Sequence, residues 1–143
     1  MRRIISAMNF DLHPRLSADT IVVGDLPLCR LLLMNDAQYP WTILVPRRTN
    51  LREIYELRVS DQQQLWRESA QLSQLLMATF KGDKLNVAAL GNMVPQLHIH
   101  HIVRFASDAA WPAPVWGKHP PRPYDEVALS ERLKLLKPGL TLI

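Results

Sequence analysis

The chain has 143 residues, 48% of them apolar and 21% charged, with 17 Lys and Arg against 13 Asp and Glu for a net charge of +4. That length suits one domain with one real core and leaves no room for a second catalytic domain. The longest apolar runs, such as 31–34 and 87–90, fall far short of the roughly 18 to 20 residues a bilayer demands, so no membrane span is expected.

The opening stretch Met1-Arg2-Arg3-Ile4-Ile5-Ser6 is basic but has no apolar core or small-residue cleavage site behind it, and is not read as a secretory signal. Cys29 is the single cysteine. It permits neither an internal disulfide nor a cysteine-built zinc cage, and fits a reducing, cytoplasmic setting. The basic residues are scattered from Arg2 to Lys137, the densest cluster being the short run 47–52. So diffuse an excess suits an anionic ligand or a soluble surface, and argues against nucleic acid as the main partner.

In chain order, residues 21–24 and 28–34 are apolar runs separated by Asp25-Leu26-Pro27, a hairpin pattern. A third strand is expected from Trp41 to Val45, entered through Tyr39-Pro40 and closed by Pro46, which completes an antiparallel meander. Asn50 and Glu53 have the spacing of a cap for a short helix over 51–57. Residues 61–80 form a long helix, since Leu65, Ser69, Leu72, Leu76 and Phe80 recur every three or four positions and make one face to bury. Ser60 with Gln63 has capping-box spacing, and Gly82 is placed to stop the helix. Two more strands, 85–90 and 96–105, are joined by the loop Gly91-Asn92-Met93-Val94-Pro95. Five of the 11 prolines then fall between Pro112 and Pro123, giving a fixed extended loop. About five strands and two helices, segregated rather than alternating, predict an α+β domain.

The last strand carries the chemistry. A period of two puts Gln96, His98, His100 and Ile102 on one face and Leu97, Ile99, His101 and Val103 on the other. Two imidazoles and a carboxamide therefore converge, held by apolar neighbours that anchor the reverse face. On this pattern alone the row is also compatible with a solvated face, or with a zinc site completed by His13, His119 or a carboxylate.

The segment Gln96-Leu97-His98-Ile99-His100-His101-Ile102 resembles the signature of the histidine-triad (HIT) superfamily, His-φ-His-φ-His-φ-φ with φ apolar. It departs twice: Gln96 stands at the first His and His101 at an apolar position. The surrounding order is similar as well: a strand ending Met34-Asn35-Asp36, the Tyr39-Pro40 turn, a strand ending Val45-Pro46-Arg47, a short and a long helix, a strand, the Gly91-Asn92 loop, the His strand and Arg104. The resemblance covers about residues 20–105, and the Trp111-Pro112 segment is similar to the tail of some members. It implies a single HIT-like domain over 1–143, with a five-stranded antiparallel sheet, one long and one short helix, and a Pro/Trp-rich loop and tail over 106–143.

The same resemblance implies that His98 attacks the α-phosphorus of a nucleotide, giving a nucleotidyl-histidine that water resolves, and that His100 donates to a non-bridging oxygen. Gln96 keeps a donor at the remaining position, the first of the triad, but cannot lend a proton. Asn92 is expected at the phosphate and Asn35 or Asp36 at the ribose, although all three are also ordinary turn residues. No metal or other cofactor is called for. The implied activity is a nucleotide hydrolase or nucleotidyl transferase acting on a phosphoanhydride or phosphoramidate. The alternative is a nucleotide-binding protein with little turnover, the Gln96 departure marking lost chemistry. A homodimer is implied too. His101 is expected to face the core with a hydrogen-bond partner, Arg104 to lie beyond the site or pair at the surface, and Trp111 and Trp116 to cover the site or reach a partner subunit.

Overall fold

The computed structural model of the chain describes residues 9–143, so the opening stretch weighed above as a signal lies outside the described residues. After a short helix α1 (Pro14–Asp19) come strands β1 (Thr20–Asp25), β2 (Cys29–Met34) and β3 (Trp41–Pro46). A 3-10 turn (Ile54–Glu56) and the long helix α2 (Val59–Phe80) lead to β4 (Lys84–Ala88) and β5 (Ile99–Arg104), with α3 (Glu126–Leu136) in the tail. The strands form one antiparallel sheet in the order β1-β2-β3-β5-β4. The meander and the α+β class are as the pattern predicts.

Because side chains alternate across a pleat, each strand feeds two cores. Leu31, Leu33, Leu44, Ile99 and Val103 pack with Leu65, Leu72 and Leu76 of α2. On the opposite face Leu32, Trp41, Ile43, Val45 and Ile102 are covered by Leu16 of α1, Val94, and Ala110 and Val115 of the tail. Completely burying a leucine is worth about 1.5 to 3 kcal/mol, so α2 is held mainly by its apolar stripe. The hydrophobic interior extends beyond residues 20–105, since Leu136 of α3 joins the first cluster and Ile143 N–H reaches back to the Asp25 carbonyl at 2.8 Å.

Several boundaries differ from expectation. The Ser60/Gln63 box does not form: α2 is capped at Arg58 without a side-chain bond, which puts Ser60 inside the first turn. There Asp61, not a cap, takes the charge, binding the Arg48 guanidinium at 2.9 and 3.1 Å. The left-handed stop is Lys81 (φ 53°), not Gly82. Gly82 is needed for a different reason: a Cβ there would collide with the Val103 side chain. The helix expected over 51–57 contracts to the 3-10 turn, where the Glu56 carboxylate accepts from the Arg52 and Glu53 amides at 3.0 and 2.9 Å, while Asn50 lies outside it in the left-handed region (φ 56°). β4 ends at Ala88, and β5 begins only at Ile99.

Candidate active site

β5 lies between β3 and β4, and its register sets Ile43 opposite His100 and Thr42 opposite His101. His98 and His100 share the face away from α2, with ring centroids 4.9 Å apart and edge to face. Both are buried. Their hydrogen bonds fix them in opposite tautomers. His98 Nδ1 lies 2.7 Å from the Gln96 carbonyl oxygen, which can only accept, so Nδ1 carries the proton and Nε2 has a free lone pair. His100 Nδ1 lies 3.0 Å from Trp41 Nε1, which can only donate, so Nδ1 accepts and the proton of the neutral ring sits on Nε2. One ring is prepared as a nucleophile and the other as a donor.

Burial favours the uncharged form of both. It lowers the His98 pKa, against a raising influence from the Gln96 carbonyl, with the charge of His13 lowering it further. His100 is driven down to about 3, by burial first and then by His98 and His101. Its surroundings explain the burial: Trp116 stands 5.1 Å from the His100 ring and 5.9 Å from Trp41, with Trp41 itself 5.8 Å from His100. Trp116 thus reaches the site from the proline-rich loop.

The remaining candidates fall in different places. Gln96 is next to the pair, but its carboxamide is engaged elsewhere, accepting from His13 N–H (2.8 Å) and donating to the Asp11 carbonyl (2.9 Å). Asn92 is exposed in the loop before the site. Asn35 and Asp36 sit at the other end of the sheet and hold the tail: Asn35 Oδ1 accepts from Tyr124 N–H (2.9 Å), and buried Asp36 accepts from Gln38 and from Arg122 N–H. His119 bonds the Ala109 carbonyl within the proline-rich loop. Among the described residues no group of three His, Cys, Asp or Glu is placed to hold a metal ion.

His101 faces the core, as its position requires, between the Ile99 carbonyl and Ser69 Oγ of α2 (2.7 Å), and burial lowers its pKa to about 4. Arg104 is not a surface residue. It is 2% exposed, pairs with Asp108 at 2.8 Å, and also donates to Asn86 Oδ1 and the Ala113 carbonyl. Tyr39 and Trp111 flank its guanidinium at 5.9 and 5.8 Å. One participant was missed in the sequence, Trp41; His13, weighed there as a zinc ligand, lies in the arm that Gln96 binds. The Trp at the start of β3 was visible as a strand residue, but only the register puts it across from the His row.

An open antiparallel sheet backed by one long helix, with paired imidazoles on the strand beside its edge, defines an α+β domain built around a strand-borne histidine site. The chain belongs to the histidine-triad family: the HIT domain model matches residues 15–107. It is similar to a histidine triad protein from Marinobacter aquaeolei VT8, with 58% identity, 92% of this chain and 96% of that one covered, and a TM-score of 0.90. A histidine triad protein from Bradyrhizobium japonicum is 47% identical over 92% and 98% of the chains (TM-score 0.90). One from Sinorhizobium meliloti 1021 is 38% identical over 94% and 100% (TM-score 0.91). No curated protein matches the chain.

Proposed function

We propose that the protein is a nucleotide hydrolase or nucleotidyl transferase that cleaves a nucleoside phosphoanhydride or phosphoramidate at the α-phosphate through a nucleotidyl-His98 intermediate. The observation that carries this reading is the opposed tautomers of His98 and His100. The His98 Nε2 lone pair forms a bond to the α-phosphorus as the bond to the leaving group breaks. The positive charge that develops on the ring is shared through Nδ1–H with the Gln96 carbonyl, and His100 Nε2–H donates to a non-bridging oxygen. Water then adds its hydroxyl to the phosphorus as the phosphorus–nitrogen bond breaks, its proton passing through solvent to the departed leaving group, and His98 is again neutral with its proton on Nδ1. Asn92 is assigned to the phosphate. For Asn35 or Asp36 to take the ribose they would exchange bonds now made to the tail.

The test is intact-mass detection of a nucleotidyl adduct on incubation with a diadenosine polyphosphate and with an adenosine phosphoramidate. His98→Ala should abolish adduct and turnover while AMP binding stays within about tenfold, or ~1.4 kcal/mol. Undiminished turnover in that variant would end the covalent mechanism. Activity is expected to persist in EDTA, because imidazole and amide donors supply the charge stabilisation. A homodimer joined through the long helix and last strands is part of the same proposal. It fits β4 standing at the sheet edge with Val87 exposed, and Trp66 half exposed on α2. So is a cytoplasmic location, in keeping with the lone, buried Cys29 thiol; no described helix is long and apolar enough to cross a membrane.

A further inference from the structure

Gln96 occupies the position where the family signature has its first histidine, and its side chain grips the arm that precedes α1. The grip has two points, accepting from His13 N–H and donating to the Asp11 carbonyl, so both sides of Leu12 are fixed to the segment that leads into β5. Leu12 and Phe10 pack against the core on the site face, and the Arg30 guanidinium lies 5.5 Å over the Phe10 ring. The arm is therefore positioned by apolar packing, by a cation–π contact and by a carboxamide that both accepts from it and donates to it.

What the arm brings is an imidazole. His13 is the N-cap of α1, and its Nδ1 accepts from Arg15 N–H at 3.1 Å. Since a backbone amide can only donate, Nδ1 holds the lone pair and the proton of the neutral ring is on Nε2. Among the described residues Nε2 has no hydrogen-bond partner. The ring is only partly buried, and its residue is held against the site by Gln96, whose side chain takes the His13 N–H at 2.8 Å and whose carbonyl takes the His98 ring at 2.7 Å. Along the site row the far end, beyond His100, is walled by Trp41 and Trp116. The near end, beyond Gln96, is bordered by the arm with exposed Asp11 and Arg15.

We propose that His13, carried in by the arm that Gln96 clamps, is a substrate-binding residue whose Nε2–H donates to a phosphate oxygen beyond the α-phosphorus, so that Gln96 replaces a triad imidazole by docking another in its place. This rests on the site reading above but is tested apart from turnover. An N–H donor at that place recognises an acceptor oxygen, such as that of a phosphate in the leaving-group position.

The test uses calorimetric titration of the full chain with AMP and with ADP, which differ by that phosphate. His13→Asn keeps an oxygen that can cap α1 but lacks the reach of Nε2. His13→Gln places an amide N–H near the Nε2 position and sacrifices the cap. The wild type should bind ADP at least tenfold tighter than AMP. His13→Asn should bring that ratio within about threefold of unity, and His13→Gln should retain most of it. Gln96→Ala should reduce the ratio as His13→Asn does, and the double variant should reduce it no further. A role for His13 in capping alone predicts the opposite order, with His13→Asn intact and His13→Gln impaired. A ratio unchanged by His13→Asn would overturn the proposal. In the wild type, nitrogen-15 spectra of the imidazoles should show His13 Nε2 shifting with ADP and not with AMP, a readout that needs no variant to fold; equal responses would also overturn it. A collapsed ratio without any nucleotidyl adduct would refute the covalent mechanism and leave His13 in place, whereas an adduct with an unchanged ratio would do the reverse.

Discussion

Which nitrogen a histidine offers is decided by its other nitrogen's partner. For His100 that partner is Trp41. Trp41→Phe keeps an aromatic ring against Trp116 but removes the indole N–H that forces the His100 proton onto Nε2. We expect kcat to fall about tenfold, or ~1.4 kcal/mol, with KM within threefold. An unchanged kcat would mean that substrate alone sets the tautomer. The nucleophile makes a second prediction. Only neutral His98 can attack, and burial lowers its pKa, so protonation removes activity only at a pH below the ordinary imidazole value of about 6.5. The plateau of kcat/KM should therefore continue below pH 6.5 before it declines. A half-loss at or above 6.5 in the rate profile would contradict the buried, neutral state.

The contact of α2 with β5 has its own pH dependence. His101 is buried, neutral in the fold and lowered to about 4, whereas in the unfolded chain an imidazole protonates near 6.5. The unfolded state thus binds more protons between these values. The stability contributed by burying a neutral His101 is complete above about pH 6.5 and is lost as pH falls toward 4. His100, lowered to about 3, extends the loss further. Melting temperature should drop through this window, and a Ser69→Ala/His101→Val pair, which removes both ends of the 2.7 Å bond, should make the drop shallower by several degrees. Glu68, 1% exposed on the same helix, accepts from the Leu28 and Cys29 amides at 2.9 and 2.8 Å. Glu68→Ala would orphan two amides at the β1–β2 turn, at about 1 to 3 kcal/mol each, measurable by urea unfolding. Strand faces and the stripe of α2 were legible because pleat and helix periods act locally. Partners such as Trp41 for His100, 59 residues apart, and Gln96 for His13, 83 apart, depend on register and docking and leave no periodic trace. α1 and α3 were overlooked although signals were present: Pro14 at the first turn, and Asp125 as a cap ahead of Leu129, Leu133 and Leu136.

The tail is bound to the sheet by polar bonds as well as by its apolar side chains. Light scattering should report a dimer mass at micromolar concentration; a monomer would count against pairing through the β4 edge. Cutting the chain after residue 107, where the HIT domain match ends, would strip Arg104 of Asp108 and the Ala113 carbonyl while leaving the guanidinium inside. Breaking a buried pair costs about 3 to 5 kcal/mol, so the shortened protein should be insoluble or should melt far below the complete chain. Asp108→Ala should reproduce much of that loss in otherwise complete protein. The knot at Arg104 also limits how such a chain can change over generations. A lineage can trim the residues beyond 113 without touching this knot, but it cannot shed residues 108–113 while keeping the arginine, because such an intermediate carries a stranded charge. The arginine has to be replaced first or in the same step, so position 104 and residues 108–113 are inherited as a single unit.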